Sequence, residues 1–245
     1  MLSLPFTLSS WLAVAAIDPG AWFGSPFAQA LGLTLRLSLT TSVGLLLLGV
    51  PLAHWLNVSR LPGMAAVQTL VSLPVVLPPT VIGFYLLVLF APTRFPGSLW
   101  VRWTGHPLSF SFTGLLIGSM LYSLPYAVQP FQAALRAVDA HLLEAAASVG
   151  AGPWRAFWRV RLPLARRGLL VGFALSFAHT MGEFGVVLML GGSIPGQTRV
   201  ASIALYDEVE KFNYPAAHLY ALTLLVVSGA LLSVVTWLQR RPVGD

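Results

Sequence analysis

Five long stretches of this chain are almost free of charge, and that constrains its fold more than any other feature. They cover about residues 33–53, 64–91, 112–135, 169–191 and 216–238, and only Arg36 and Glu183 are charged within them. A helix crosses the roughly 30 Å hydrocarbon core of a bilayer in about 20 residues. In lipid each backbone polar group must be satisfied within the segment, so stretches apolar all round are helices. Charged residues are 9% of the chain, whereas a soluble domain carries roughly 25% to wet its surface. The expectation is an all-α integral membrane protein with five transmembrane helices. A sixth span would arise if residues 4–17 also crossed. That stretch is 14 residues long, lacks a basic leader and stops at Asp18-Pro19-Gly20, so it reads as interfacial or re-entrant rather than as a signal peptide. Residues 1–30 are thus taken as a separate N-terminal segment and 31–240 as the membrane domain.

Basic residues orient the bundle. Alternate loops hold Arg60, then Arg136, Arg155, Arg159, Arg161, Arg166 and Arg167, then Arg240 and Arg241. The opposite loops hold Arg94, Arg102, Arg199 and Lys211. The richer side is cytoplasmic by the positive-inside rule, which puts the loop 136–167 and the C-terminus inside. Topology also accounts for the net charge of +6, so nucleic acid is not an expected partner. The chain has no Cys, which excludes thiolate metal sites and cysteine nucleophiles. Its one lysine, Lys211, is followed by Phe212, so no P-loop holds ATP phosphates. Ser176, His179 and Glu183 fall on one predicted helix and cannot converge as a hydrolytic triad. No metal site and no catalytic residue is expected.

The cytoplasmic loop is the most patterned segment. Asp139 can cap a helix through the Leu/Ala-rich run that follows. Gly150, Gly152 and Pro153 force a turn, and a second short helix from Trp154 is predicted to end before Pro163. Within it lie Glu144-Ala145-Ala146, Gly150 four residues later, and Val160-Arg161-Leu162-Pro163. This spacing matches the EAA motif, E-A-A-x3-G-x9-[IV]-x-L-P, and resembles the permease subunits of binding-protein-dependent ABC importers. Gly182-Glu183-Phe184-Gly185, Ser193-Ile194-Pro195-Gly196-Gln197-Thr198-Arg199 and Leu73-Pro74 with Leu77-Pro78-Pro79 are similar to the molybdate permease branch, with sulfate and tungstate permeases as neighbours. The branch usually has Glu where this chain has Gln197.

The resemblance implies a type I ABC importer permease fold and a homodimer in the cytoplasmic membrane. It implies two copies of a separate ATPase carrying the ATP and Mg, and a soluble periplasmic or extracellular oxyanion-binding protein. Glu144, Ala145, Ala146, Gly150, Leu162 and Pro163 would couple to that ATPase, and no cofactor would sit in this chain. A different class, a proton-coupled secondary transporter using Glu183 and His179, would leave the loop without a role.

Other residues bear on a path through the membrane. A charge at membrane depth costs about 2.5–3.5 kcal/mol on insertion scales, so Glu183 should face the bundle interior, be paired or be protonated. A carboxylate would repel a dianionic oxyanion, so Glu183 reads as a structural or gating group neutralised by a basic neighbour or a proton, not as a substrate ligand. At helical spacing Ser176, Thr180 and Glu183 share a face with His179. Gly168, Gly172, Ser176 and Thr180 also form a ladder of small residues suited to helix packing. That face packs helices, lines the translocation path or gate, or does both. Thr34, Ser38, Thr41 and Ser42 form a hydroxyl face on the first span. Arg36 can snorkel to the outer interface, or else form an oxyanion entry ring or partner Glu183. Pro74, Pro78 and Pro79 should kink or unwind the second span. Asp207, Glu208 and Glu210 form an outer acidic patch, either a solvated loop or a dock for a binding protein.

Overall fold

Pro26 fits the first helical position because the N–H it lacks would have no partner there, and the Ser25 hydroxyl before it accepts from the Ala28 N–H at 3.1 Å. From that cap α1 runs Pro26–Val58. A computed structural model describes residues 25–240 of the chain; the short apolar stretch 4–17 and Arg241 lie outside these. Because α1 starts at Pro26, the boundary drawn at residue 30 falls inside its first turns. Its 33 residues span about 50 Å, more than the hydrocarbon requires. Arg36 lies 4.7 Å over the Phe112 ring at the start of α5 (Phe112–Arg136). Above it Phe27 stacks on Tyr220 at 3.8 Å.

The centre of the fold is three helices in mutual contact: α1, α5 and α8 (Leu162–Met181). Glycine sets their spacing. The Phe131 ring of α5 is fully buried, and a Cβ would lie 3.2 Å from it on Gly49 of α1 and 2.5 Å from it on Gly172 of α8. Gly168 meets Ala134 in the same way, so the small-residue ladder packs α8 on α5 within one subunit.

All five apolar stretches are helical, but two are broken. The second consists of α2 (Met64–Ser72), a 3-10 turn at Leu73–Val75 and α3 (Pro79–Leu89), with a bend of 110°. Of the two expected outcomes, a kink or an unwound turn, the break is the second. Pro78 and Pro79 have no N–H to continue the ladder, and each disfavours helical backbone in the residue before it; Pro78 is extended at φ −56°, ψ 136°. The fourth breaks between α8 and α9 (Gly185–Gly191), with a bend of 61°. Short α4 (Gly97–Thr104) and α10 (Ala201–Glu210) lie in the loops after α3 and α9, and α11 (Tyr214–Arg240) closes the described chain.

In the loop that follows α5, α6 is Ala140–Ser148, with the Asp139 side chain accepting from the His141 N–H at 2.9 Å. The next helix does not end before Pro163. α7 (Pro153–Ala156) passes through a π-turn at Phe157–Arg161 directly into α8, with the Leu162 N–H donating to the Phe157 carbonyl. The wider turn re-spaces the ladder where Pro163 supplies no donor. From Pro153 to Met181 the backbone is thus one rod.

Candidate functional site

α6 projects from the bundle with no buried residue. Glu144 is 74% exposed and meets only His141, at 3.5 Å; Ala145 is exposed, and Ala146 and Leu143 are half-buried. Gly150 stops the helix at φ +83°, a left-handed conformation that suits glycine, and its N–H donates to the Ala147 carbonyl at 2.9 Å. Leu162 and Pro163 are not on this surface. They line a groove with Leu46, Val50 and Pro51 of α1, where the π-turn enters α8. The motif therefore divides into an exposed helix and a joint behind it. Sequence reading missed the brace beneath the joint. Arg136 Nε donates to Asn57 Oδ1 at 2.7 Å, and Asn57 Nδ2 donates to the Gln132 carbonyl at 3.0 Å, tying α1 to α5.

Within the membrane, two apolar clusters enclose a polar layer. One contains Leu45, Phe131 and Leu169, the other Leu37, Leu115 and Val186. Between them in sequence come Ser38, Thr41 and Ser42 on α1, Ser119 and Ser123 on α5, and Ser176, Thr180 and Glu183 at the end of α8. None of these is more than 4% exposed. Ser176 donates to the Phe173 carbonyl at 2.9 Å. Ser123 Oγ lies 2.9 Å from both Thr180 Oγ1 and His179 Nδ1, and the His179 ring stacks on Tyr126 at 3.8 Å. Thr34 of α1 serves packing, accepting from the Ala201 N–H at 2.8 Å to start α10.

Glu183 is not on the helical face of Ser176 and Thr180, because α8 ends at Met181 and Gly182 caps it. Glu183 occupies the break, where its own carbonyl accepts from Ser202 Oγ at 2.6 Å. Gly185 follows, and a Cβ there would lie 2.8 Å from Pro79. The two breaks therefore abut. Between them is a recess of about 530 Å³ lined by Pro79 and Thr80 of α3, Tyr122 of α5, His179 of α8, and Glu183. Pro79 and Glu183 are brought together; Ser176 is not in its wall, and Pro78 stands one residue outside. Ser119 is close enough to influence the Glu183 carboxyl, but neither its hydroxyl nor either carboxyl oxygen completes a hydrogen bond among the described residues. Ser38 and Thr41 hydroxyls are also buried without partners. Leaving such a group unpaired costs about 1–3 kcal/mol, so this layer retains capacity to bind polar matter. The i, i+4 spacing of Ser119 and Ser123 was the available signal for its α5 wall.

The outer acids are already engaged. Asp207 accepts from Arg199 Nη2 and from Ser193 Oγ, each at 2.9 Å. Glu208 accepts from Lys211 Nζ at 2.7 Å and Asn213 Nδ2 at 2.8 Å, and the Lys211 bond holds its carboxyl below the usual carboxylate range. Glu210 accepts from the Tyr206 hydroxyl at 2.7 Å. Gln197 is exposed.

The family described as binding-protein-dependent transport system inner membrane component matches residues 45–243. The chain is 45% identical over 215 residues to the molybdenum transport system permease protein of Azotobacter vinelandii, covering 88% of this chain and 95% of that protein. It is 35% identical over 219 residues to the molybdenum transport system permease protein of Escherichia coli K12, covering 88% and 94%. Its fold is similar to a chain of a bacterial ABC transporter for the acidic polysaccharide alginate, with a TM-score of 0.72 at 18% identity, covering 99% of this chain and 86% of that one.

Proposed function

The chain belongs to the binding-protein-dependent transport system inner membrane components, and from that premise we propose that it is the permease subunit of an ATP-driven importer of molybdate. Two copies would form the translocation pathway and sit on two copies of a separate ATPase, which carries ATP and Mg. A soluble binding protein would deliver the oxyanion from the outer side. The molybdenum-transport relatives support the cargo.

One observation carries the mechanism: the backbone is a single rod from the turn after α6 to the break that holds Glu183. Docking of Glu144, Ala145, Ala146 and Gly150 into the ATPase would couple its closure to the coupling loop. Leu162 and Pro163, at the joint, would pass the displacement into α8. At the far end, the abutting breaks at Pro78-Pro79 and Gly182–Phe184 would reorient α3 and α9 together, because Gly185 packs on Pro79 and Gly83 on Met189. Thr180 would hold α8 against α5 through Ser123, with Ser176 buried on the same helix, while Glu183 faces the gate. Hydroxyl groups with few fixed positive charges suit a path that must release what it passes.

The test is reconstitution of the permease with its cognate ATPase and binding protein in liposomes. Molybdate should stimulate ATP hydrolysis and accumulate inside, with tungstate and sulfate as comparison cargoes. Uptake without the ATPase would instead identify a secondary transporter.

A further inference from the structure

The recess beside Glu183 contains an unresolved conflict if its carboxyl is ionised. Arg36 lies over the Phe112 ring at the start of α5, and Ser119 stands seven residues further along α5, about 10 Å at 1.5 Å per residue. Glu183 comes close to Ser119 at that level of α5 and is 4% exposed. Among the described residues no cation hydrogen-bonds its carboxyl. α5 contributes Tyr122 and α8 contributes His179, whose Nδ1 is held by Ser123. α3 contributes Pro79 and Thr80, and α10 contributes Ser202, which is spent on the Glu183 carbonyl. Arg and Lys are absent from the lining.

The rest of the wall suits an oxyanion. The Thr80 hydroxyl stands at the start of α3, an 11-residue helix whose positive dipole end faces the recess. The Tyr122 hydroxyl and the remaining ring nitrogen of His179 are further polar groups. The volume of about 530 Å³ accommodates a tetrahedral oxyanion with part of its hydration shell. A carboxylate on this wall would repel a dianion, whereas a carboxylic acid would donate a hydrogen bond to it.

We propose that the recess is a transient oxyanion site that opens to its cargo only when Glu183 carries a proton. The neutral acid adds a donor to the site; the ionised form closes it electrostatically. This rests on the oxyanion-permease reading above and makes Glu183 a charge-selective positioning residue in the path.

The experiment uses the complete importer in liposomes, with molybdate uptake per ATP hydrolysed measured between about pH 6 and about pH 9; molybdate remains a dianion throughout. Wild type should lose several-fold in uptake per ATP as pH rises. Glu183→Gln, a permanent neutral donor, should flatten the profile near the wild-type low-pH level, and Glu183→Ala should lower uptake at every pH. An infrared difference spectrum, wild type minus Glu183→Gln, should show a protonated-carboxyl band that gains intensity with molybdate. A pH slope unchanged in Glu183→Gln, a flat wild-type profile, or a carboxylate band in the molybdate-loaded state would overturn the proposal. Absence of molybdate uptake by wild type at every pH would instead overturn the permease reading on which it stands.

Discussion

The two faces of the molecule treat their charges in opposite ways. Around α10, Asp207, Glu208 and Glu210 each have a donor within the chain: Arg199 and Ser193, Lys211 and Asn213, and Tyr206. At the other end, α6 presents Glu144 at 74% exposure beside one exposed histidine, and Leu142 and Val149 are 48% and 84% exposed. Local pairing stabilises a loop and leaves little for a partner to bind. Exposed apolar residues beside an exposed acid are costly unless something covers them. An acidic cluster visible in sequence therefore points to less docking capacity than a single acid on an Ala-rich helix.

The largest effect should come from the inner face. Glu144→Arg or Gly150→Trp should cut uptake more than about tenfold, equivalent to about 1.4 kcal/mol or more of lost coupling, with normal membrane insertion. Either variant transporting like wild type would erase the distinction between the faces. Next in size is the joint between the two breaks. Gly185→Leu places atoms against Pro79, 2.8 Å from a Cβ at that position, and should reduce molybdate-stimulated hydrolysis several-fold while basal hydrolysis persists. Full stimulation would show that α3 and α9 do not move as a pair.

The outer face should respond through stability alone. Asp207→Asn weakens the Arg199 pair, whose side chains are 16% and 21% exposed, and should cost about 1 kcal/mol. A thermal shift should report this, with binding-protein stimulation within about twofold of wild type. Loss of stimulation without a shift would make the patch a dock. The smallest effect is the pH response of Glu208. Its folded-state pKa is depressed by the Lys211 bond, so its stabilisation is present above the ordinary carboxylate range and is lost as pH falls through the folded value. Glu208→Gln should therefore lose part of the neutral-pH stability and flatten the acid limb of a melting-temperature profile.

Much of the architecture was legible because lipid is an undemanding solvent to read: an uncharged run of sufficient length has to be a helix. The EAA spacing located α6, and Asp139 starts it and Gly150 stops it where capping chemistry requires. Breaks were harder. Prolines at 74, 78 and 79 announced a disruption, but the 110° bend depends on what α3 then packs against, namely Gly185 and Met189 from a hundred residues away. Pro163 misled because the rule that helices end before proline assumes i→i−4 bonding, and the π-turn escapes it. Glu183 was correctly singled out as a buried charge, but helical spacing carried it one turn too far, past the Gly182 cap. Its companions Ser119 and Ser123 went unnoticed within an apolar run, where two hydroxyls barely alter the average.

The absence of native cysteine makes one measurement especially direct. Single cysteines introduced at Ala145 on α6 and at Gln197 in the outer loop can be challenged with a short bifunctional reagent in the assembled importer. The prediction is a covalent adduct between position 145 and the ATPase, diminished when binding protein and ATP drive the complex through its cycle, and no ATPase adduct from position 197. No adduct at 145 in a complex that hydrolyses ATP, or an ATPase adduct at 197, would contradict the assignment of α6 as the docking surface.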